Sequence, residues 1–218
     1  MTHALSNAIW QDQLRDGLAA MDLSLSDSQQ QQLLAFLALL NKWNRAYNLT
    51  AVRDERTMVS RQLLDSLSIL PWVRTDHLLD VGAGGGLPGI PLAIALPGRR
   101  FTLLDSNGKK TRFLNQCVLE LGLTNVEVIH GRAEACQPER PFAQISSRAF
   151  TALANLVTWC DDLLADDGEF LAMKGQFPDD EVADLPAGWQ VESRHSLAVP
   201  GADGDRHLLV VARAASPQ

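Results

Sequence analysis

The run LLDVGAGGGLPGIPLAIAL, residues 78–96, restricts the fold of this chain more than any other stretch. Leu78–Val81 reads as a strand, and the apolar residues after Pro91 read as a helix. Glycines 82, 84, 85 and 86 sit at the joint, where a missing Cβ lets the backbone take positive φ and come close to a ligand. A strand, a glycine turn and a helix make the Rossmann-type arrangement, whose ligands lie beyond the carboxyl ends of the strands. The spacing is not GxGxxG, because position 87 is Leu, and no GK[ST] follows to make a phosphate loop.

The flanking sequence extends this unit into a sheet. Short β-rich runs alternate with helical segments at HLLDV (77–81), RRFTLLD (99–105), NVEVIH (125–130), FAQIS (142–146) and GEFLAMK (168–174). This alternation predicts βαβ units and a mostly parallel sheet. WQVESRHSL and RHLLVVARA follow with no helix between them, joined by the turn-rich VPGADGD, and predict an antiparallel hairpin at one end. Residues 1–75 read as a helical extension. Ser26 and Gln29 form a capping-box pattern, and Leu33, Phe36, Leu37, Leu40 and Trp43 recur at helical spacing. YNLT (47–50) breaks that helix. A further helix is expected from about Asp54 to Ile69, ended by Pro71. The expected organisation is a helical extension at 1–75, a catalytic domain at 76–213 and a flexible tail at 214–218.

With 218 residues the chain can bury a sizeable core. The longest apolar run, LLAFLALL (33–40), is too short to span a bilayer, and the N-terminus lacks the pattern of a signal peptide. Three cysteines without CxxC spacing argue against a disulfide framework or a zinc cluster, so a cytoplasmic location without membrane or metal is expected. A net charge of −7 opposes loose nucleic-acid binding but leaves room for a local basic face. Arg45, Arg53, Arg56, Arg61, Arg99, Arg100, Lys109, Lys110, Arg112, Arg148, Lys174 and Arg206 are the candidates for it.

Three acidic features sharpen the glycine turn. Asp80 precedes it, Asp105 ends the second strand where a carboxylate grips ribose hydroxyls, and Ala133-Glu134 follows the third strand where adenine would lie. DxGxGxG, a strand ending in Asp and an acidic third turn resemble the class I S-adenosylmethionine-dependent methyltransferases. On the glycine pattern alone a nicotinamide dinucleotide stays open. The end of the fourth strand reads ISSRAF rather than the [ND]PP[YF] of amino-nitrogen enzymes, and no cysteine has the Pro-Cys context of a pyrimidine C5 nucleophile. Lys174 could be a base for a ribose hydroxyl, but carboxylate partners for it are not evident in the sequence. An acceptor that needs no deprotonation, such as N7 of guanine, is compatible with these absences. Its catalysis would rest on proximity and alignment, a contribution of up to about 7–11 kcal/mol.

LLDVGAGGGLPGIPLAI, LLDSNGKK, IHGRAE, SRAF, MKG and VPGADGDRH, with YNLT and LLDSL upstream, together resemble the small-subunit ribosomal RNA guanine-N7 methyltransferases, also called glucose-inhibited division protein B. The resemblance covers roughly residues 40–212. It implies S-adenosylmethionine as cofactor and the guanine at position 527 of 16S rRNA, within the small subunit or its precursor, as target. It places Asp80, Gly82, Gly84, Gly86, Leu87, Asp105, Ala133, Glu134 and Arg148 at the cofactor. Arg148, Lys174 and Arg206 would position RNA and screen its phosphates, with His207 beside them. The chain departs from the family pattern at Gln62, where His is common, and at Ala143, where Asp is common. The first departure weakens a catalytic role for that helix, and the second suggests that a carboxylate there is dispensable. A small-molecule methyltransferase and a non-catalytic, cofactor-binding assembly factor remain alternatives.

Overall fold

The computed structural model describes residues 2–215, with side chains from residue 8 onward. Of the expected tail at 214–218, residues 216–218 lie outside the described residues. Seven strands form one sheet: β1 (His77–Val81), β2 (Arg100–Asp105), β3 (Val126–His130), β4 (Phe142–Arg148), β5 (Leu164–Lys174), β6 (Trp189–Ser196) and β7 (His207–Arg213). Their order is β3-β2-β1-β4-β5-β7-β6, parallel through β5. The last strand is antiparallel to both of its neighbours and lies between β5 and β6, so the antiparallel hairpin stands at one end of the sheet, as expected, with β6 at the edge.

Two long N-terminal helices, α1 (Thr2–Ala20) and α2 (Asp27–Tyr47), precede the sheet. The Ser26 hydroxyl accepts from the Gln29 amide and the Gln29 side chain from the Ser26 amide, which starts α2 with the reciprocal cap read in the sequence. Leu33, Phe36, Leu37 and Leu40 are buried in a cluster that also holds Leu103 of β2 and Phe113 and Leu114 of α5 (Gly108–Leu121). The helical extension thus shares one apolar core with the sheet. Trp43 is partly buried against the Phe113 ring at 5.6 Å.

The segment expected as one helix from Asp54 to Ile69 is helical without a gap from Glu55 to Leu67 but changes type along its length. A 3-10 turn covers Glu55–Thr57, a π-helical turn Val59–Leu64, and α3 only Asp65–Leu67. Pro71 lies inside a final 3-10 turn, Leu70–Trp72, at its first positions, where a missing N–H costs nothing, rather than terminating a helix. The wide π turn shifts the helical register within the segment, and Gln62 and Asp65 both reach the cleft at the carboxyl ends of the strands.

Between β1 and α4 (Gly89–Ala95) the glycine turn is held from below by Asp80. This carboxylate is fully buried, accepting from the Gly89 amide at 3.0 Å and from the Ser146 hydroxyl of β4 at 2.9 Å. Asp80 was expected either at the cofactor or as a tie for the loop through backbone N–H bonds; its bond to the Gly89 amide is of the second kind, and it does not line the cleft. Gly86 is displaced from the cofactor too: at φ +79° it packs onto α4, and a Cβ there would come within 2.6 Å of Ile90. Beyond α5, the described helices are α6 (Leu153–Cys160) and α7 (Asp179–Ala183).

Two outcomes test this scaffold. Ser26→Ala removes the cap acceptor and lowers stability by about 1 kcal/mol in urea denaturation. Burial pushes Asp80 up from 3.8 to about 7, against its bonds to Ser146 and Gly89, which favour the ionised form. Its folded pKa is therefore raised. The neutral form contributes its full stability below pH 3.8, and that contribution is lost as the pH climbs through about 7. Asp80→Asn mimics the neutral carboxyl. Its unfolding free energy in urea should gain on wild type between pH 4 and 7, by at most about 1.4 kcal/mol per pH unit. A constant difference across that range would refute the assignment.

Candidate active site

All the strand ends that the sequence singled out open onto one cleft. β1 supplies Gly82, β2 Asp105, β3 the Gly131–Glu134 turn, β4 Arg148–Phe150 and β5 Lys174. β7 runs the other way and contributes its first residue, His207, with Arg206 just before it. The cleft has two lobes of about 440 and 380 Å³, which share Gly82, Lys110 and Ala149.

The smaller lobe is lined by Asp105, Ala133, Glu134, Arg132, Phe150 and Trp159, among others. Asp105 is 5% exposed, and its two oxygens accept from the Gly84 and Asn107 amides, both at 2.8 Å. It therefore ties the glycine turn to the start of α5 and keeps lone pairs for a further donor. Phe150 and Trp159 meet edge to face at 5.9 Å. The Phe150 ring lies so close over Gly82, at φ +64°, that a Cβ would come within 2.1 Å of it. Gly82 is thus required both for its backbone angle and for this approach. Ala149 has φ +50°, an uncommon angle for a residue with a Cβ, and forms the opposite side of the neck.

The larger lobe is lined by Gly82, Gly84, Leu87, Gln62, Asp65, Arg61, Arg148, Lys174, Arg206 and His207, among others. Arg148 Nη1 donates to Asp65 Oδ2 at 2.8 Å and to the Arg61 carbonyl at 3.1 Å, and Nη2 donates to Gln62 Oε1 at 2.8 Å. Arg206 Nε donates to Asp65 Oδ1 at 3.1 Å. Gln62 Nε2 donates in turn to Thr50 Oγ1 of the YNLT segment at 2.7 Å. Gln62 and Asp65 thus line the cleft, although the departure at Gln62 weakens a catalytic role for that helix. The signal for Asp65 was present: a carboxylate inside an apolar run is seldom buried unless it is paired. Lys174 has a carboxylate partner that the sequence did not disclose, Glu181 of α7 at 2.7 Å, and it also donates to the Thr151 carbonyl at 3.1 Å. The His207 Nδ1 faces the Gly175 carbonyl at 2.8 Å.

The basic face is narrower than expected. Arg99 precedes β2 and Arg100 begins it, both at the amino end of that strand, with Arg99 bonded to the Val73 carbonyl. Arg45 lines a separate cavity beside Trp10, and Arg56 pairs with Asp54 at 3.0 Å. Arg61, Lys110, Arg132, Arg148, Lys174 and Arg206 are the Lys and Arg side chains among the described lining residues of the two lobes. Ala143 is exposed near the start of β4, at the opposite end from the cleft. None of the cysteines lines either lobe. Burial pushes the thiol of Cys160 up to about 12 and that of Cys117 higher still, which removes them as nucleophiles. Among the described residues no group of three His, Cys, Asp or Glu is placed to hold a metal, and no helix is long and apolar enough to cross a membrane.

Solved structures with this fold include the mitomycin 7-O-methyltransferase MmcR, with a TM-score of 0.60 and 17% identity over 82% of this chain and 60% of that one. They also include the O-methyltransferase TomG from Streptomyces achromogenes, solved in complex with SAM, with a TM-score of 0.55 and 15% identity over 83% and 90%. At these identities the likeness establishes the class I methyltransferase fold and no more. The ribosomal RNA small subunit methyltransferase G of Marinobacter nauticus is 88% identical over 205 residues, which cover 94% of this chain and 96% of that protein. The model of the family described as rRNA small subunit methyltransferase G matches residues 29–209. The chain therefore belongs to that family, GidB.

Proposed function

We propose that this protein transfers a methyl group from S-adenosylmethionine to N7 of a guanine in small-subunit ribosomal RNA. The observation that carries this reading is the division of the cleft at Gly82 into an acid-and-aromatic lobe and an arginine-and-lysine lobe. The smaller lobe suits an adenosine. The spare lone pairs of Asp105 can accept from ribose hydroxyls, Phe150 and Trp159 offer ring faces, and Ala133 and Glu134 border the base. The neck at Gly82 is where backbone meets the amino-acid end, with Leu87 beyond it. When bound, S-adenosylmethionine supplies an activated methyl whose sulfur departs as a neutral thioether.

The larger lobe suits the RNA. Asp65 is the carboxylate among its described lining residues, and it is committed to two arginines. Lys174 acts as a donor to Glu181 and Thr151. Arg148, Lys174 and Arg206 position phosphate and hold the base in line with the methyl group. N7 of guanine attacks through its in-plane lone pair, so the residues around it need to remove no proton and contribute alignment. Crowding of the lobe by paired side chains favours one shaped partner over loose RNA, in keeping with the net charge of −7.

Labelled methyl from S-adenosylmethionine should enter intact small subunits, and chemical cleavage should map it to 7-methylguanine. No transfer, or transfer only into small molecules, would overturn the reading. Gly82→Ala drives the Phe150 ring toward the smaller lobe and should raise the dissociation constant of S-adenosylhomocysteine by at least ~10-fold. His207→Gln keeps a donor for the Gly175 carbonyl and should leave the transfer rate within ~3-fold. A loss of ~100-fold or more would mean that His207 removes a proton, and would point to a hydroxyl acceptor instead.

A further inference from the structure

We propose that Asp65 is a positioning residue that holds Arg148 and Arg206 as one two-guanidinium fork for a single phosphodiester of the RNA, an inference that rests on the function proposed above. Arg148 ends β4 and Arg206 immediately precedes β7, and one carboxylate brings them together. Asp65 is 7% exposed, and Arg148 and Arg206 are 19% and 18% exposed. Each Asp65 oxygen takes one guanidinium. Removing the arginines would leave a buried, uncompensated charge, so carboxylate and guanidiniums fix one another.

What the fork leaves unspent points to its ligand. Arg148 gives both Nη1 hydrogens and one Nη2 hydrogen to Asp65, Arg61 and Gln62, leaving Nε–H and one Nη2–H. Arg206 gives Nε–H to Asp65 and one Nη1–H to the Asp205 carbonyl, leaving three donors. Two guanidiniums and one carboxylate carry a net charge of +1, which matches the −1 of one phosphodiester. Both side chains line the larger lobe, so the spare donors belong to the wall that faces the acceptor. Arginine pairs hold phosphate by such forked contacts, and their precision depends on the guanidinium plane being set beforehand. The Thr50–Gln62 bond extends that setting to the YNLT segment, so the N-terminal part of the chain governs the aim of Arg148 at the end of β4.

Asp65→Asn keeps the shape but turns an amide N–H toward one guanidinium. Methyl transfer to intact small subunits, S-adenosylhomocysteine titration and the Nε–H resonance of Arg206 in 15N-labelled protein read the result. We expect kcat to fall at least ~10-fold through misalignment, while KM for subunits holds or drops because a negative charge has been removed. The dissociation constant of S-adenosylhomocysteine should stay within ~2-fold and the Arg206 resonance should lose its protection, a split that simple destabilisation does not produce. An unchanged kcat, or equal losses in kcat and cofactor affinity, would overturn the proposal. Should Asp65→Asn not fold, Gln62→Met removes one Arg148 acceptor and should give the same split to a smaller degree; wild-type kinetics in that variant would overturn the fork. Wild-type protein inert on subunits would instead overturn the proposed function and take the phosphodiester with it. An active wild type with an indifferent Asp65→Asn would sink the fork alone.

Discussion

Two carboxylates hold the glycine turn in place, and the cleft depends on them. Asp80 pulls the Gly89 amide and the Ser146 hydroxyl together beneath the turn, which locks α4 to β1 and β4. Asp105 takes the Gly84 and Asn107 amides above it, which locks the turn to α5. A turn rich in glycine loses much conformational freedom on folding. Charged acceptors for its amides offset part of that loss, since such bonds are stronger than neutral ones. The cost appears at Asp80, whose raised pKa records the unfavourable burial of its charge.

The N-terminal segment is best understood as part of the cleft wall. Its helices share an apolar cluster with β2 and α5, which fixes their position. From that position the π turn and α3 send Gln62 and Asp65 across to side chains 86, 83 and 141 residues away in sequence. Arg148, Lys174 and Arg206 are each tied to a carboxylate, so their positive charge is aimed as well as supplied. A lobe built this way discriminates by geometry as much as by attraction, which suits an acidic protein that must act on RNA.

Much of the fold was legible because the strands carry apolar β-rich runs of period and length that helices do not share. HLLDV, RFTLLD and VEVIH fall where the pattern puts them. The cap at Ser26 was legible because it is a local, reciprocal bond. The π turn in the helix expected from about Asp54 to Ile69 was not, since apolar spacing does not distinguish an α turn from a π turn. The sequence placed Arg148, Lys174 and Arg206 by motif, but their carboxylate partners are tertiary and follow no spacing rule. Asp80 and Asp105 look alike in sequence, each a carboxylate at a strand end. Only packing separates the one sealed beneath the turn from the one that lines the cleft.

The place of β7 has a consequence for how the protein matures. Chains leave the ribosome from the amino end, and domains tend to fold as they emerge. Until residues 207–213 have been made, β5 lacks its antiparallel neighbour, and the Lys174–His207 pairing and Arg206 beside it do not yet exist. The glycine turn and its two carboxylates are by then already translated. The residues of the nucleoside half are thus all made before those that complete the wall that receives RNA. That wall therefore closes only once β7 and the residue before it have been made, which ties competence to the integrity of residues 206–213.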